Sequence, residues 1–217
     1  MKNAKSASHP FFSVIITTYN RSQLVTRALI SLISQVEKDW EAIIVDDEST
    51  DETYSRVLPY INTCEKIRYI RKAHSGEAIS KNTGIRLSDG KFISFLDSDD
   101  EYHPMHLKHR KSVLLQNPSV RFLFGGVKII GNPFVPNRFD YKEKINLNNC
   151  VIGGSFFVEK NLFFSLNGFR KIYLGTDADL YERIKKTGVP MMETGFQSYI
   201  YHHETQDSIT NQMYLRM

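Results

Sequence analysis

Four short apolar runs, each ending in polar or acidic residues, constrain this chain most. FFSVIITTYN (11–20) and WEAIIVDD (40–47) read as buried strands, because continuous β-branched and aromatic runs of this length suit strands covered on both faces, and KIRYIR (66–71) and KFISFLD (91–97) read as a third and a fourth strand. Helical patterns separate them. Leu24, Val25, Ala28, Leu29, Leu32 and Ile33 recur at helical spacing and make one apolar face. Asn20 with Gln23, and Ser49 with Glu52, fit capping boxes, the second opening a helix that ends near Pro59. SGEAISKNTGIRL (75–87) supplies a third helix, and Pro104 suits the first position of a fourth that runs to about Gln116. This alternation predicts a doubly wound α/β sheet with parallel central strands.

After residue 130 the sequence changes character. VRFLFGGVKIIG (120–131) reads as one more strand, broken or bulged at Gly125 and Gly126. Residues 132–149 are rich in Asn, Pro and charge and read as a surface loop. A SFFVEKNLFFSLNGF segment, a helix from about Asp177 to Lys186 and a strand-like run to Tyr201 follow.

With 217 residues and 41% hydrophobic composition, a chain of this length buries enough surface to fold without staples. Cys64 and Cys150 are far apart, which excludes a disulfide scaffold and a cysteine-based zinc module and fits a reducing compartment. The polar start MKNAKSASHP lacks the apolar core of a signal peptide, and no run of about 18 apolar residues occurs, so the expected location is the cytoplasm. Net charge is 28 − 24 = +4, too mild to indicate nucleic-acid binding.

The distribution of charge is more informative. DDESTDE (46–52) and DSDDE (97–101) hold nine of the 24 acidic residues in twelve positions, whereas 66–91 carries seven Lys/Arg against two acids. In an open α/β sheet, ligands bind beyond the carboxyl ends of the strands. Thr17 to Asn20, Asp46-Asp47 and Asp97 to Asp100 lie at such ends and should converge. Like charges gathered there repel, and a divalent cation offsets them. No G-x-G-x-x-G follows the first strand, and GIRLSDGKF (84–92) fails as a Walker A loop, so phosphates fall to metal and basic side chains.

These pieces resemble family-2 glycosyltransferases. VIITTYNR is similar to the family's first strand, VDDESTDET to its V-D-D-x-S-x-D pattern, SGEAISKNTGI to its A-R-N-x-G helix and FLDSDD to its D-x-D signature. Later, LNGFRK and GTDADLYERI resemble its G-F-D-E and E-D-x-D-L-x-x-R pieces. The resemblance covers about 11–203 and implies a single domain of GT-A type, an α/β/α sandwich around a mixed, mainly parallel sheet. Its nucleotide-sugar half spans about 11–131 and its acceptor half about 132–217.

The resemblance also implies roles. Thr17 and Tyr19 line the nucleoside pocket, Asp47 meets the base, Asp97 and Ser98 lie at the donor, and Asp99 binds Mn²⁺ or Mg²⁺. Lys81 stands where Arg is usual, offering charge to a phosphate without a bidentate fork. Asp177 is the general base toward an acceptor hydroxyl, and as a helix-start residue it is expected to stay ionised. Thr176 replaces the usual Glu, Arg183 pairs structurally with Asp179, and His203 is placed near the metal. His103, His106 and His109, three residues apart, spread over a helix surface and read as a solvated face. The implied activity is inverting transfer of a sugar from a nucleoside diphosphate, UDP foremost, to a saccharide or lipid-linked acceptor in cell-surface polysaccharide synthesis. It leaves room for peripheral attachment at the inner membrane face and for a homodimer. A non-catalytic nucleotide-sugar-binding module is the alternative, motivated by Thr176 and Lys81. A nucleotidyltransferase lacks its glycine-rich pyrophosphate loop here.

Overall fold

A computed structural model describes residues 9–137, 143–172 and 175–204. The predicted strands form as β1 (Phe12–Thr18), β2 (Trp40–Asp46), β3 (Ile67–Arg71) and β4 (Phe92–Phe95), all mutually parallel. They belong to a seven-stranded sheet whose remaining members are β6 (Phe122–Phe124), β10 (Phe157–Glu159) and β11 (Met191–Glu193), in the order β11-β6-β10-β4-β1-β2-β3. Only β10 runs antiparallel, between β4 and β6, which makes the sheet mixed but mainly parallel. Strand order reverses between β1 and β4, the crevice where doubly wound sheets take ligands.

Alternation along β1 divides the core into two layers. Val14 and Ile16 pack with α1 (Val25–Ile33), α2 (Thr53–Thr63) and α4 (His106–Gln116), while Ile15 packs with α3 (Glu77–Leu87), α5 (Lys160–Ser165) and α6 (Thr176–Lys186). Helices on both faces give the expected α/β/α sandwich. On the second face α3 lies close because residue 84 is glycine: a Cβ there would come within 2.5 Å of Ile15 Cγ2. No helix among the described residues is long and apolar enough to cross a membrane.

Several local expectations are corrected. Neither capping box forms. α1 starts at Val25 without a side-chain cap, and Asn20, at φ 50°, instead accepts from the Thr50 amide at 2.8 Å. Ser49 Oγ in turn accepts from the Asn20 amide at 2.9 Å, so both polar pairs tie two sheet-edge loops together. α2 runs through Pro59 to Thr63, and Pro104 precedes α4 instead of opening it. Residues 132–149 are more than a loop, since β8 (Phe134–Pro136) pairs antiparallel with β9 (Lys144–Asn146).

At Gly125-Gly126 the chain leaves the main sheet. β7 (Val127–Gly131) joins β5 (Glu101–Tyr102) and β12 (Tyr199–His203) in a small second sheet. Both glycines have positive φ, and a Cβ on Gly126 would stand 2.2 Å from the Phe196 carbonyl oxygen. The strand-like run ending at Tyr201 is likewise two strands, β11 and β12, in different sheets. The histidine face is exposed only at His103; His106 is fully buried, with Nδ1 2.8 Å from Ser198 Oγ, and His109 Nε2 lies 3.0 Å from Thr194 Oγ1.

Candidate active site

The chain turns sharply after β4, with the Asp100 amide donating to the Asp97 carbonyl at 3.0 Å. Asp100 anchors this turn to β12. Its carboxylate accepts from Tyr199 Oη at 2.5 Å and from the His202 amide at 2.8 Å. Arg27 donates to the Asp99 backbone oxygen from α1. Asp97 and Asp99 are partly exposed and Ser98 is buried. The charge of Arg21 acts on the Asp99 carboxylate. Burial, followed by the charge of Asp97, pushes the Asp99 carboxyl upward. Burial, then Asp99 and Asp97, does the same to Asp100. Carboxylates so crowded lower their free energy by taking a proton or a cation.

Lys81 occupies the centre of the site. Its Nζ lies 2.5 Å from Glu77 and 3.2 Å from Asp97, buried against the rings of Phe95 and Phe169. Burial opposes its charge, but Asp97 and Glu77 outweigh that and hold the ammonium firmly protonated. The next residue, Asn82, donates to the Phe169 carbonyl at 2.8 Å and accepts from its amide at 2.9 Å. Gly168 leaves room for this, since a Cβ there would lie 2.3 Å from Asn82 Oδ1. The α3 motif and the Gly-Phe motif are therefore one packed unit, 87 residues apart in sequence.

Asp47 serves the edge differently. Its carboxylate accepts from Lys72 Nζ at 2.6 Å, from the Gly76 amide at 2.7 Å, from Ser80 Oγ at 2.9 Å and from the Ser75 amide at 3.0 Å. Burial works against ionisation, but these donors prevail and hold the carboxyl at about 2. The charge also sits at the N-terminus of α3, where the helix dipole favours an anion. The loop so fixed carries His74, whose ring stacks on the half-exposed Tyr19 with centroids 4.4 Å apart. Thr17 lies opposite Val45 on β1, at the same edge.

Asp177 reaches this edge from the other half of the chain. Gly175, in the left-handed region at φ 77°, precedes α6, and Asp177 accepts from the Gly153 amide at 3.1 Å and the Ala178 amide at 2.8 Å. The helix start is not exposed in the way its sequence position suggested. Burial pushes the carboxyl upward from its ordinary value, opposed by the two amides and the charge of Lys81. Asp179 faces elsewhere, paired with Arg183 at 2.8 Å and Arg170 at 3.4 Å.

His203 is buried on β12, its Nδ1 2.5 Å from the Asn132 carbonyl oxygen. Among the described residues no group of three or more His, Cys, Asp or Glu side chains gathers to hold a metal. Mn²⁺ and Mg²⁺ are commonly held by one or two carboxylates together with substrate phosphates, and Asp99 with Asp97 meets that requirement. Glu77, Asn82, Arg27 and Tyr199 are the site residues that sequence reasoning missed. Glu77 alone had a signal, its i,i+4 spacing from Lys81.

Fold and site together define a GT-A type nucleotide-diphospho-sugar transferase architecture. The family model for glycosyl transferase family 2 matches residues 13–170, and the chain belongs to that family. It is similar to UDP-Glc:alpha-D-GlcNAc-diphosphoundecaprenol beta-1,3-glucosyltransferase WfgD of Escherichia coli, 32% identical over 146 residues, covering 65% of this chain and 56% of that one. It is also similar to GalNAc(5)-diNAcBac-PP-undecaprenol beta-1,3-glucosyltransferase of Campylobacter jejuni, 29% identical over 214 residues, covering 93% of this chain and 67% of that one. Among solved structures, TarS 1-349 of S. aureus in complex with UDP-GlcNAc matches with a TM-score of 0.77 at 23% identity, over 91% of this chain and 60% of that one. The mannosyltransferase PcManGT of Pyrobaculum calidifontis, with GDP-Man and Mn²⁺, matches with a TM-score of 0.71 at 20% identity, over 89% of this chain and 57% of that one. The chain thus spans little more than half the length of the E. coli relative.

Proposed function

We propose that this chain transfers a sugar, with inversion, from a UDP-sugar to a hydroxyl of a lipid-linked saccharide. One observation carries the reading: Lys81 contacts Asp97 of the donor half at 3.2 Å, and its charge also reaches Asp177 of the acceptor half. A buried cation paired with Asp97, with its charge also acting on Asp177, suits a site where an anionic leaving group departs beside a base. The E. coli and C. jejuni relatives, named for undecaprenyl-diphosphate-linked acceptors and β-1,3 products, support the acceptor class. A lipid-linked acceptor also favours action at the inner membrane face through peripheral contact.

In this reading Thr17, Tyr19 and the loop held by Asp47 receive the nucleoside, and Asp97 and Ser98 face the ribose and diphosphate. Asp99, with Asp97, holds Mn²⁺ or Mg²⁺, which when bound neutralises charge on the diphosphate. Lys81 adds fixed positive charge at the same edge. Asp177 takes the acceptor hydroxyl proton as that oxygen bonds to the anomeric carbon. The bond from that carbon to the diphosphate oxygen breaks, and its electron pair leaves with UDP. A raised carboxyl suits this task, because a base works best with its pKa near the working pH.

Thermal shift with UDP and GDP, each with and without Mn²⁺, tests the donor assignment. Ligand at 100 times its Kd adds about 2.7 kcal/mol, which is roughly 5–10 °C for a chain of this size. UDP with Mn²⁺ should give that shift. Equal shifts with GDP, or with UDP lacking metal, would overturn the corresponding part of the reading.

A further inference from the structure

Beyond the carboxyl ends of β6 and β11 lies a cavity of about 190 Å³, bounded by Gly125, Gly126, Asn148, Cys150, Glu193 and Gln197. β6 and β11 are parallel to each other and, through antiparallel β10, to β4. The cavity therefore opens on the same sheet edge as the acidic turn. It also adjoins Asp177, whose carboxylate accepts from the amide of Gly153, three residues past Cys150. Burial and then the charge of Asp177 push the Cys150 thiol up.

The lining has the character of a carbohydrate site. Val127 and Ile129 give it an apolar wall, suited to the C–H face of a pyranose. The side chains of Glu193 and Gln197 make no hydrogen bond or ion pair among the described residues. Their loop is nevertheless fixed in place. A Cβ on Gly125 would come within 2.8 Å of Glu193 Cγ, and the Thr194 hydroxyl is engaged by His109 at 3.0 Å. Among the described residues no Lys, Arg or His lines the cavity. Arg110 lies beneath the wall and donates to the Gly125 carbonyl oxygen at 2.6 Å.

We propose that this cavity is the subsite for the acceptor's terminal sugar, that Glu193 and Gln197 hold its hydroxyl or acetamido groups, and that it takes neutral hexoses and N-acetylhexosamines but not uronic acids. The inference rests on the transferase reading above. Selection against a uronic acid follows from charge: its carboxylate would lie beside Glu193, and no cation among the described lining residues offsets the repulsion. A neutral sugar instead offers Glu193 hydroxyl donors, and hydrogen bonds to a charged acceptor are the stronger class.

Saturation-transfer NMR tests this on the whole protein with UDP and Mn²⁺ present. The probes are the methyl α-glycosides of glucose, N-acetylglucosamine, N-acetylgalactosamine and glucuronic acid. At least one neutral glycoside should bind, and the glucuronide should not. Gln197→Trp, at an exposed position, should abolish the sugar signal by filling the mouth. Glu193→Gln should weaken binding about tenfold, the equivalent of about 1.4 kcal/mol. The UDP signal should persist in both variants. Neutral-sugar signals unchanged in both variants, glucuronide binding equal to that of the neutral sugars, or no glycoside binding while UDP binds would each overturn the proposal. Absence of UDP binding in the wild type would instead overturn the donor reading, and this inference with it.

Discussion

Asp47 is the residue whose removal should reach furthest through the donor half. In the unfolded chain its carboxyl titrates near the ordinary aspartate value of about 3.9. In the folded chain four donors hold it at about 2. The folded pKa is the lower one, so the ionised carboxylate stabilises the fold above pH 4, and that stability is lost as pH falls through 4 toward 2. A difference of about 1.9 pH units corresponds to roughly 2.6 kcal/mol. Asp47→Asn mimics the protonated acid and turns an amide N–H toward donors, so it should cost at least about 2.6 kcal/mol at pH 7. For a chain of this size that is roughly a 5–10 °C fall in Tm. Urea unfolding of both proteins at pH 7, 5, 4 and 3 isolates this group, because other carboxylates titrate alike in each. The gap should be widest at pH 7 and shrink toward pH 3. The variant should also bind UDP more weakly, since the 72–76 loop no longer holds His74 against Tyr19. A gap below about 0.5 kcal/mol at pH 7, the range of ordinary surface substitutions, would refute the reasoning. So would a gap that stays constant with pH.

Other perturbations bear on separate parts of the site. Asp99→Asn should weaken UDP binding in Mn²⁺ and leave metal-free binding unchanged, as read by calorimetry; identical metal dependence in both proteins contradicts the assignment. Gly84→Ala should destabilise by about 1–3 kcal/mol through overpacking against Ile15, seen as a lower urea midpoint with unchanged slope; an unaltered midpoint would show that α3 can move away freely. Asn82→Ala leaves the Phe169 amide and carbonyl without their partner and should cost about 1–3 kcal/mol, with loss of transfer exceeding loss of UDP binding. Equal loss of both would place Asn82 on the donor side alone.

The first half of the chain was legible because β1, β2 and β4 are buried and read as apolar runs, and because acidic residues fall at strand ends. Parallel order and the convergence of residues 17–20, 46–47 and 97–100 follow from that pattern. What was not legible depends on contacts across long separations. Asn20 and Ser49 have capping chemistry, yet they satisfy each other's loops because β1 and β2 end side by side. Lys81 appeared only as a substitute for arginine, and nothing local indicated that Asp97 would stand 3.2 Å away. His106 reads as polar surface by spacing, but Ser198, 92 residues on, gives its ring a buried partner. The Gly125-Gly126 break was visible; that it moves the chain into a second sheet was not, since β12 completes that sheet from the far end of the sequence.

Under the proposed function Asp177, and not Asp179, accepts the proton. Both Asn variants should be compared in steady-state transfer across pH, with UDP affinity measured in parallel. Asp177→Asn should keep its UDP affinity and lose at least about 10²-fold in transfer rate. The acidic limb of the wild-type pH profile should be shifted upward from that of an ordinary aspartate, because burial raises this group, and it should vanish in the variant. Asp179→Asn, which breaks the pair with Arg183, should lower Tm while leaving the pH limb in place. Near wild-type transfer by Asp177→Asn, with collapse in Asp179→Asn, would contradict the account.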